Sequence, residues 1–85
     1  MLYRIEEDER AQAQVEALPE AALTPYAELR VLLELAPWSG DSLNSGNPTG
    51  AVRTATFGPE AQGMVTYLVL DDIQRVDVLD VVWLG

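Results

Sequence analysis

The alternation of apolar and polar positions divides the chain into a strand, two helices and three further strands. Leu2-Tyr-Arg-Ile5 alternates and carries aromatic and β-branched side chains, which predicts a short first strand. Glu6, Glu7, Asp8 and Glu9 then open a helical pattern in which Ala11, Val15 and Leu18 recur about a turn apart, and acids at that end complement the helix macrodipole. Pro19 breaks this pattern. A second helix follows, with Leu29, Leu32, Leu33 and Ala36 as its buried stripe and Tyr26 one turn earlier. Thr24-Pro25 reads as an N-cap with proline at the first helical position; the alternative makes Glu20 to Leu23 a preceding turn of the same helix, kinked at Pro25.

Pro37 stops the second helix, and Trp38 to Gly50 is a loop rich in Ser, Gly, Asn and Pro with no periodicity. A segment of that length without regular structure is the first place to look for a site. From Ala51 onward the chain reads as a three-stranded meander: Ala51 to Phe57, a turn at 58–62, Gly63 to Leu70, a tight turn at 71–74, and Arg75 to Leu84. Met64 to Leu70 and Val81 to Leu84 are apolar on both faces, which places the last two strands at the centre of the sheet. The expected fold class is α+β, in the order β-α-α-β-β-β, with two helices on one face of a small, mostly antiparallel sheet.

Composition narrows the chemistry. The 85 residues hold five Arg, no Lys, no His, no Cys and fourteen acids, for a formal charge of -9. One small domain spanning residues 1–85 is expected. Without Cys there is no thiolate nucleophile or Cys-ligated metal site, and without His the usual near-neutral acid/base group is missing. The lack of Lys removes Schiff-base chemistry and the P-loop lysine. No apolar h-region follows the amino terminus and no stretch is long enough for a membrane span, so a cytoplasmic protein with no membrane partner is expected.

The remaining motifs are weak. Asp41 to Gly46 begins like an EF-hand loop, but Leu43 and Val52 stand where oxygen ligands are required. Asp71, Asp72, Asp77 and Asp80 suggest a magnesium cluster only superficially, because strand alternation sends Asp77 and Asp80 to opposite faces and Asp71 and Asp72 suit a turn. Ser39, Ser42 and Ser45 have no His or Lys to activate them. No metal or cofactor is expected. The arginines Arg4, Arg10, Arg30, Arg53 and Arg75 stand isolated among acids; ion pairing is their plain reading, and the overall charge weighs against binding free nucleic acid.

Three segments carry a family likeness: Val52-Arg-Thr-Ala-Thr-Phe-Gly58, Gly63-Met-Val-Thr-Tyr-Leu-Val-Leu-Asp71 and Val76-Asp-Val-Leu-Asp-Val-Val-Trp83. With the element order, this block resembles the RelE/ParE toxin superfamily of type II toxin-antitoxin pairs. The helix end Leu33-Glu-Leu-Ala-Pro-Trp38 is similar to that of small actinobacterial members. The resemblance covers essentially the whole chain and implies a toxin component acting on ribosome-bound mRNA or on DNA gyrase, with a cognate antitoxin partner. In nucleases of the family, basic residues of the second, third and last strands and a basic or aromatic tail cleave mRNA.

Carried over, Arg53 falls near the second-strand position, Tyr67 matches the third-strand tyrosine, and Arg75 is the other likeliest polar contributor. These two arginines are the candidate catalytic residues. Met64 stands where the family has an arginine, and the sequence ends at Gly85 without the further basic or aromatic residue. A non-catalytic acidic protein-binding module is therefore the alternative, and a nucleic-acid mimic a third possibility. Charge complementarity predicts a basic partner. The apolar candidates for its contact are Trp38, Leu43 and Trp83; each could equally be core, and for the two tryptophans burial outweighs interface.

Overall fold

The computed structural model describes residues 2–44, 46–47 and 49–85. Ser45, one of the three loop serines, lies outside the described residues. The chain forms β1 (Arg4–Glu7), α1 (Glu9–Glu16), α2 (Glu20–Leu35), β2 (Asp41–Ser42), β3 (Val52–Phe57), β4 (Gly63–Leu70) and β5 (Arg75–Trp83), with short 3-10 turns at Pro37–Ser39 and Asp71–Ile73. The five strands make one sheet in the order β1-β5-β4-β3-β2, with β1 parallel to β5 and every other pair antiparallel. Both helices pack on one face, as expected. No helix among the described residues is long and apolar enough to cross a membrane.

Several boundaries move for local reasons. Glu6 and Glu7 belong to β1 rather than to the helix, because parallel pairing with β5 runs from Arg4 opposite Arg75 to Glu7 opposite Val78. The helix starts only after Asp8, whose extended backbone and Oδ1, accepting from the Ala11 N–H at 2.8 Å, make it the N-cap. Thr24 is not an N-cap. The second helix begins at Glu20 after an extended Pro19 and carries Pro25 inside it, so the alternative reading of Glu20 to Leu23 is the one observed. Of its expected stripe, Tyr26, Leu29 and Leu33 are buried together with Ala22, whereas Leu32 and Ala36 are exposed.

The loop after α2 is not structureless. Pro37–Ser39 forms a 3-10 turn, and Asp41 and Ser42 pair with Thr54 and Arg53 as an added edge strand. A second departure lies in β5, where Leu79 is an extra residue in the ladder: Val78 pairs with Tyr67 and Asp80 with Thr66. This bulge breaks the alternation, so Asp77 and Asp80 face Leu68 and Thr66, two residues on the same side of β4. The expectation that Asp77 and Asp80 point to opposite faces is thereby corrected. Beyond β1, the free edge of β5 is covered by Gln14 of α1, whose Oε1 accepts from the Val81 N–H at 2.7 Å while its Nε2 donates to Asp80 Oδ1 at 2.8 Å.

The core lies between the helices and the two central strands. Val65, Tyr67 and Val69 from β4 and Val76, Val78 and Val81 from β5 are buried against Ala11, Tyr26 and Leu33. The Phe57 ring meets Tyr26 edge-on, with centroids 5.6 Å apart, and lies 5.6 Å from the Trp83 ring. Opposite Phe57 in the ladder stands Gly63, where a Cβ would run into the Phe57 ring. Gly63 is therefore held by packing rather than by backbone angle. Gly63→Ala is expected to force the aromatic cluster apart and cost about 1–3 kcal/mol, read as a lower thermal midpoint; an unchanged midpoint would show that the cluster has slack.

Candidate functional site

The site is built around Arg53. Position 53 pairs with Tyr67 across β3 and β4, which puts its side chain on the helix-facing side of the sheet. At 7% exposure it is the one buried charged residue among those described. A guanidinium there must have all-round hydrogen bonding, since desolvating an unpaired charge costs several kcal/mol. The loop supplies it: Nε and one terminal nitrogen donate to the Gly40 carbonyl at 3.1 and 2.6 Å, and the other terminal nitrogen donates to the Gly50 carbonyl at 3.0 Å. Arg53 also lies over the Trp38 ring, 5.2 Å from its centroid. Gly40 is required for this approach, because a Cβ there would collide with the Tyr67 hydroxyl and the Thr54 carbonyl.

Tyr67 fixes the other end of the same segment by donating its hydroxyl to the Pro37 carbonyl at 2.6 Å. Burial pushes its phenol pKa up. Trp38, 40% exposed, is consequently held in place on the protein surface. Its Nε1 donates to Asp71 Oδ1 at 3.0 Å, and the Tyr3 hydroxyl donates to the same oxygen. Those bonds, Tyr3 first and then Trp38, hold the Asp71 carboxyl below its ordinary range, and the carboxylate raises the Tyr3 phenol in return. Arg53, Trp38, Asp71 and Tyr3 thus form one continuous polar and aromatic corner. Asp71 is separated from its two donors by 68 and 33 residues, so its part in the corner carries no local sequence signal.

Arg75 is elsewhere. It pairs with Leu70, three residues along β4 from the partner of Arg53, so the two arginines lie on opposite faces of the sheet. Its guanidinium is engaged by Asp77 in a two-bond fork, Nε to Oδ1 at 2.8 Å and the terminal nitrogen to Oδ2 at 3.0 Å, and this pairing raises its pKa. The other arginines follow suit: Arg4 with Glu6 at 3.7 Å, Arg10 with Asp80 at 3.2 Å and Arg30 with Glu7 at 3.8 Å. Glu7 also accepts the Tyr26 hydroxyl at 2.5 Å, which joins β1 to α2; burial first, and then this bond to the carboxylate, push the tyrosine pKa well up.

The three apolar candidates are likewise divided. Leu43 is exposed beside Val52, whose carbonyl accepts the Leu43 N–H at 3.0 Å, while Trp83 is half-buried against Phe57 at the opposite end of β3. Between α2 and β3 runs a groove of about 440 Å³ lined by Pro25, Leu29, Leu32, Phe57 and Pro59, with Glu28 at its rim. No group of three acidic side chains among the described residues stands close enough to share a metal ion.

The architecture as a whole has close counterparts. The isolated Escherichia coli RelE toxin superposes with a TM-score of 0.79 at 16% identity, over 98% of this chain and 85% of that one. The intact E. coli RelBE toxin-antitoxin complex gives 0.76 at 17% identity, over 93% of each chain. The archaeal RelE-RelB complex from Pyrococcus horikoshii OT3 gives 0.73 at 22% identity, over 100% and 98%. No protein-family model matches the sequence, and no curated protein matches it. What these likenesses establish is that the chain has the RelE fold.

Two outcomes follow from the corner. Arg53→Ala leaves the Gly40 and Gly50 carbonyls without their donor and should cost about 2–4 kcal/mol; Arg53→Lys, lacking the fork, should fall between the two. Amide exchange over residues 40–50 should accelerate far more than in β4 and β5, and uniform acceleration would show that the loop is not held by Arg53. For Asp71, a folded-state pKa below the unfolded one means that its stabilisation is present above the unfolded pKa and is lost as pH falls through the folded one. In a Trp83→Phe background, Trp38 emission should therefore change at a pH below the usual carboxylate range. Asp71→Asn should abolish that step, and its persistence would assign the transition to another acid.

Proposed function

We propose that this protein is the RelE-like toxin component of a toxin-antitoxin pair, of the small actinobacterial type, that works by contact with its target rather than by cutting RNA. The observation that carries the reading is the likeness to RelE along nearly the whole chain, helices included. RelE structures have been solved with a RelB antitoxin, so an antitoxin is the partner to seek. At a net charge of -9 the chain repels an acidic partner, and a basic one is expected. The targets consistent with the family likeness are the ribosome with its mRNA and DNA gyrase, reached in the cytoplasm. Protein contact with gyrase requires no set of catalytic cations.

Arg53 and Arg75 remain the residues for polar contribution to that action, one through the loop it holds and the other on the opposite sheet face. Transition-state stabilisation in phosphoryl chemistry needs preorganised cations aimed at one point. Here Arg53 is committed to carbonyls and Arg75 to Asp77, on different faces. The same observation favours a second reading, a non-catalytic acidic protein-binding module that keeps the fold without toxicity. Inducing the protein alone in a related bacterial host separates the two: growth arrest without ribosomal mRNA cuts supports the contact toxin, and unimpaired growth at confirmed soluble expression supports the module. Cleavage in the ribosomal A site, lost by orders of magnitude in Arg53→Ala or Arg75→Ala at matched fold, would overturn both in favour of a nuclease.

A further inference from the structure

The second helix is apolar on more sides than the fold uses. Ala22, Tyr26, Leu29 and Leu33 are buried against the sheet, which accounts for one face. A surface helix normally turns a polar face outward, and one that is apolar all round is buried on both sides. On the outward side of α2, however, Leu23, Val31, Leu32 and Leu35 are 46–63% exposed, and Ala27 is exposed between them. Leu23, Ala27, Val31 and Leu35 follow one another at four-residue steps, forming a ridge about 18 Å long. Beside the small Ala27 the surface dips into a shallow hollow of about 330 Å³, lined by Leu23, Thr24, Ala27, Glu28 and Val31. That is the shape of a hole that receives a side chain from a facing helix.

Charge decides what the facing helix is. Two exposed acids, Glu20 and Glu28, border the ridge on this side, and the half-buried Glu34 stands beside Leu35. The nearest cation on the helix, Arg30, is directed to Glu7 of β1 at 3.8 Å. A second copy laid antiparallel on the ridge would bring Glu28 close to its own counterpart near the centre of the crossing. It would also join two bodies of charge -9. A helix bearing Arg or Lys beside its apolar positions meets the opposite condition and is attracted by these acids.

We propose that the outward face of α2, formed by Leu23, Ala27, Val31 and Leu35, is a docking surface for an amphipathic helix of another protein whose apolar stripe is flanked by arginine or lysine. The docked helix anchors through side chains at spacings of three and four residues, seated beside Ala27, with its cations against Glu20 and Glu28. This assignment deepens the partner reading above and rests on it only in expecting a second protein; it requires no toxicity.

The test uses the full chain and two fluorescein-labelled helical peptides with the same leucine and alanine stripe, one flanked by arginine and the other by glutamate. The arginine peptide is expected to bind at least about tenfold tighter than the glutamate one, and to weaken between low and high salt. Val31→Gln/Leu35→Gln keeps good helix formers, should leave the circular dichroism and melting profile intact, and should weaken the arginine peptide at least about tenfold. Ile73→Gln, an exposed apolar position on the β4–β5 turn, should leave binding unchanged. Binding of neither peptide, equal binding of both, or undiminished binding by the double variant overturns the proposal. So does sedimentation of the unmodified chain as a dimer that the double variant dissolves, which would give the ridge to a second copy. Binding and growth arrest are read separately, so binding without arrest removes the toxin reading alone, and arrest without binding removes this one alone.

Discussion

A buried guanidinium that must be surrounded by acceptors is the constraint from which one end of this molecule is organised. Arg53 sits on the core side of β3, where water cannot solvate it, and the fold meets its demand with main-chain carbonyls rather than a carboxylate. Those carbonyls belong to Gly40 and Gly50, which flank the segment that would otherwise be a long excursion. Satisfying one charge thus closes the loop, pairs β2 with β3 and seats Trp38 under the guanidinium plane. Tyr67 completes the arrangement from the neighbouring strand through Pro37, and Gly40 leaves the room. The corner depends most on its two inner members, because removing Arg53 or Tyr67 takes the donor from main-chain carbonyls of the segment, whereas Asp71 remains open to water.

The same chemistry limits what the arginines can do. A cation that fixes a loop has little freedom to follow charge developing on a substrate, and a forked pair with a carboxylate adds the cost of breaking it. Arg53 and Arg75 are each engaged in one of these ways, on opposite faces of one sheet. The remaining arginines are paired with acids at the surface, where each pair stabilises weakly but cancels local positive field. The RelE fold is present here with each of its five arginines engaged by a carboxylate or by main-chain carbonyls, and that engagement is the ground of the proposal that the protein acts by contact.

Much of this was legible in the sequence, and the failures have identifiable causes. The strand meander could be read because period-two alternation and turn residues act locally, and β4 and β5 are apolar enough to mark the centre of the sheet. By charge Glu6 and Glu7 suit a helix N-terminus, while the parallel partner that claims them for β1 lies some seventy residues away. Pro25 is compatible locally with a helix start or with an interior position, and the interior one goes with burial of both Ala22 and Tyr26. The Leu79 bulge and the two-residue β2 have no periodic signature at all. At the candidate site, ion pairing of the isolated arginines could be anticipated from composition, whereas the carbonyl cage of Arg53 and the convergence of Tyr3 and Trp38 on Asp71 are products of tertiary geometry.

The α2 stripe is instructive in a different way. Reading Leu32 and Ala36 as core followed the rule that apolar residues at helical spacing face inward, and the rule fails because this helix has more apolar residues than one interface can take. An 85-residue chain has little core to spare, so side chains such as Val31 and Leu35, left largely in water, contribute little to its own fold and favour association. The strong negative charge keeps such a surface from meeting copies of itself while leaving it open to a basic helix. Apolar ridge and acidic border are thus complementary conditions on one partner: the first supplies the area that holds it, and the second excludes the wrong occupant.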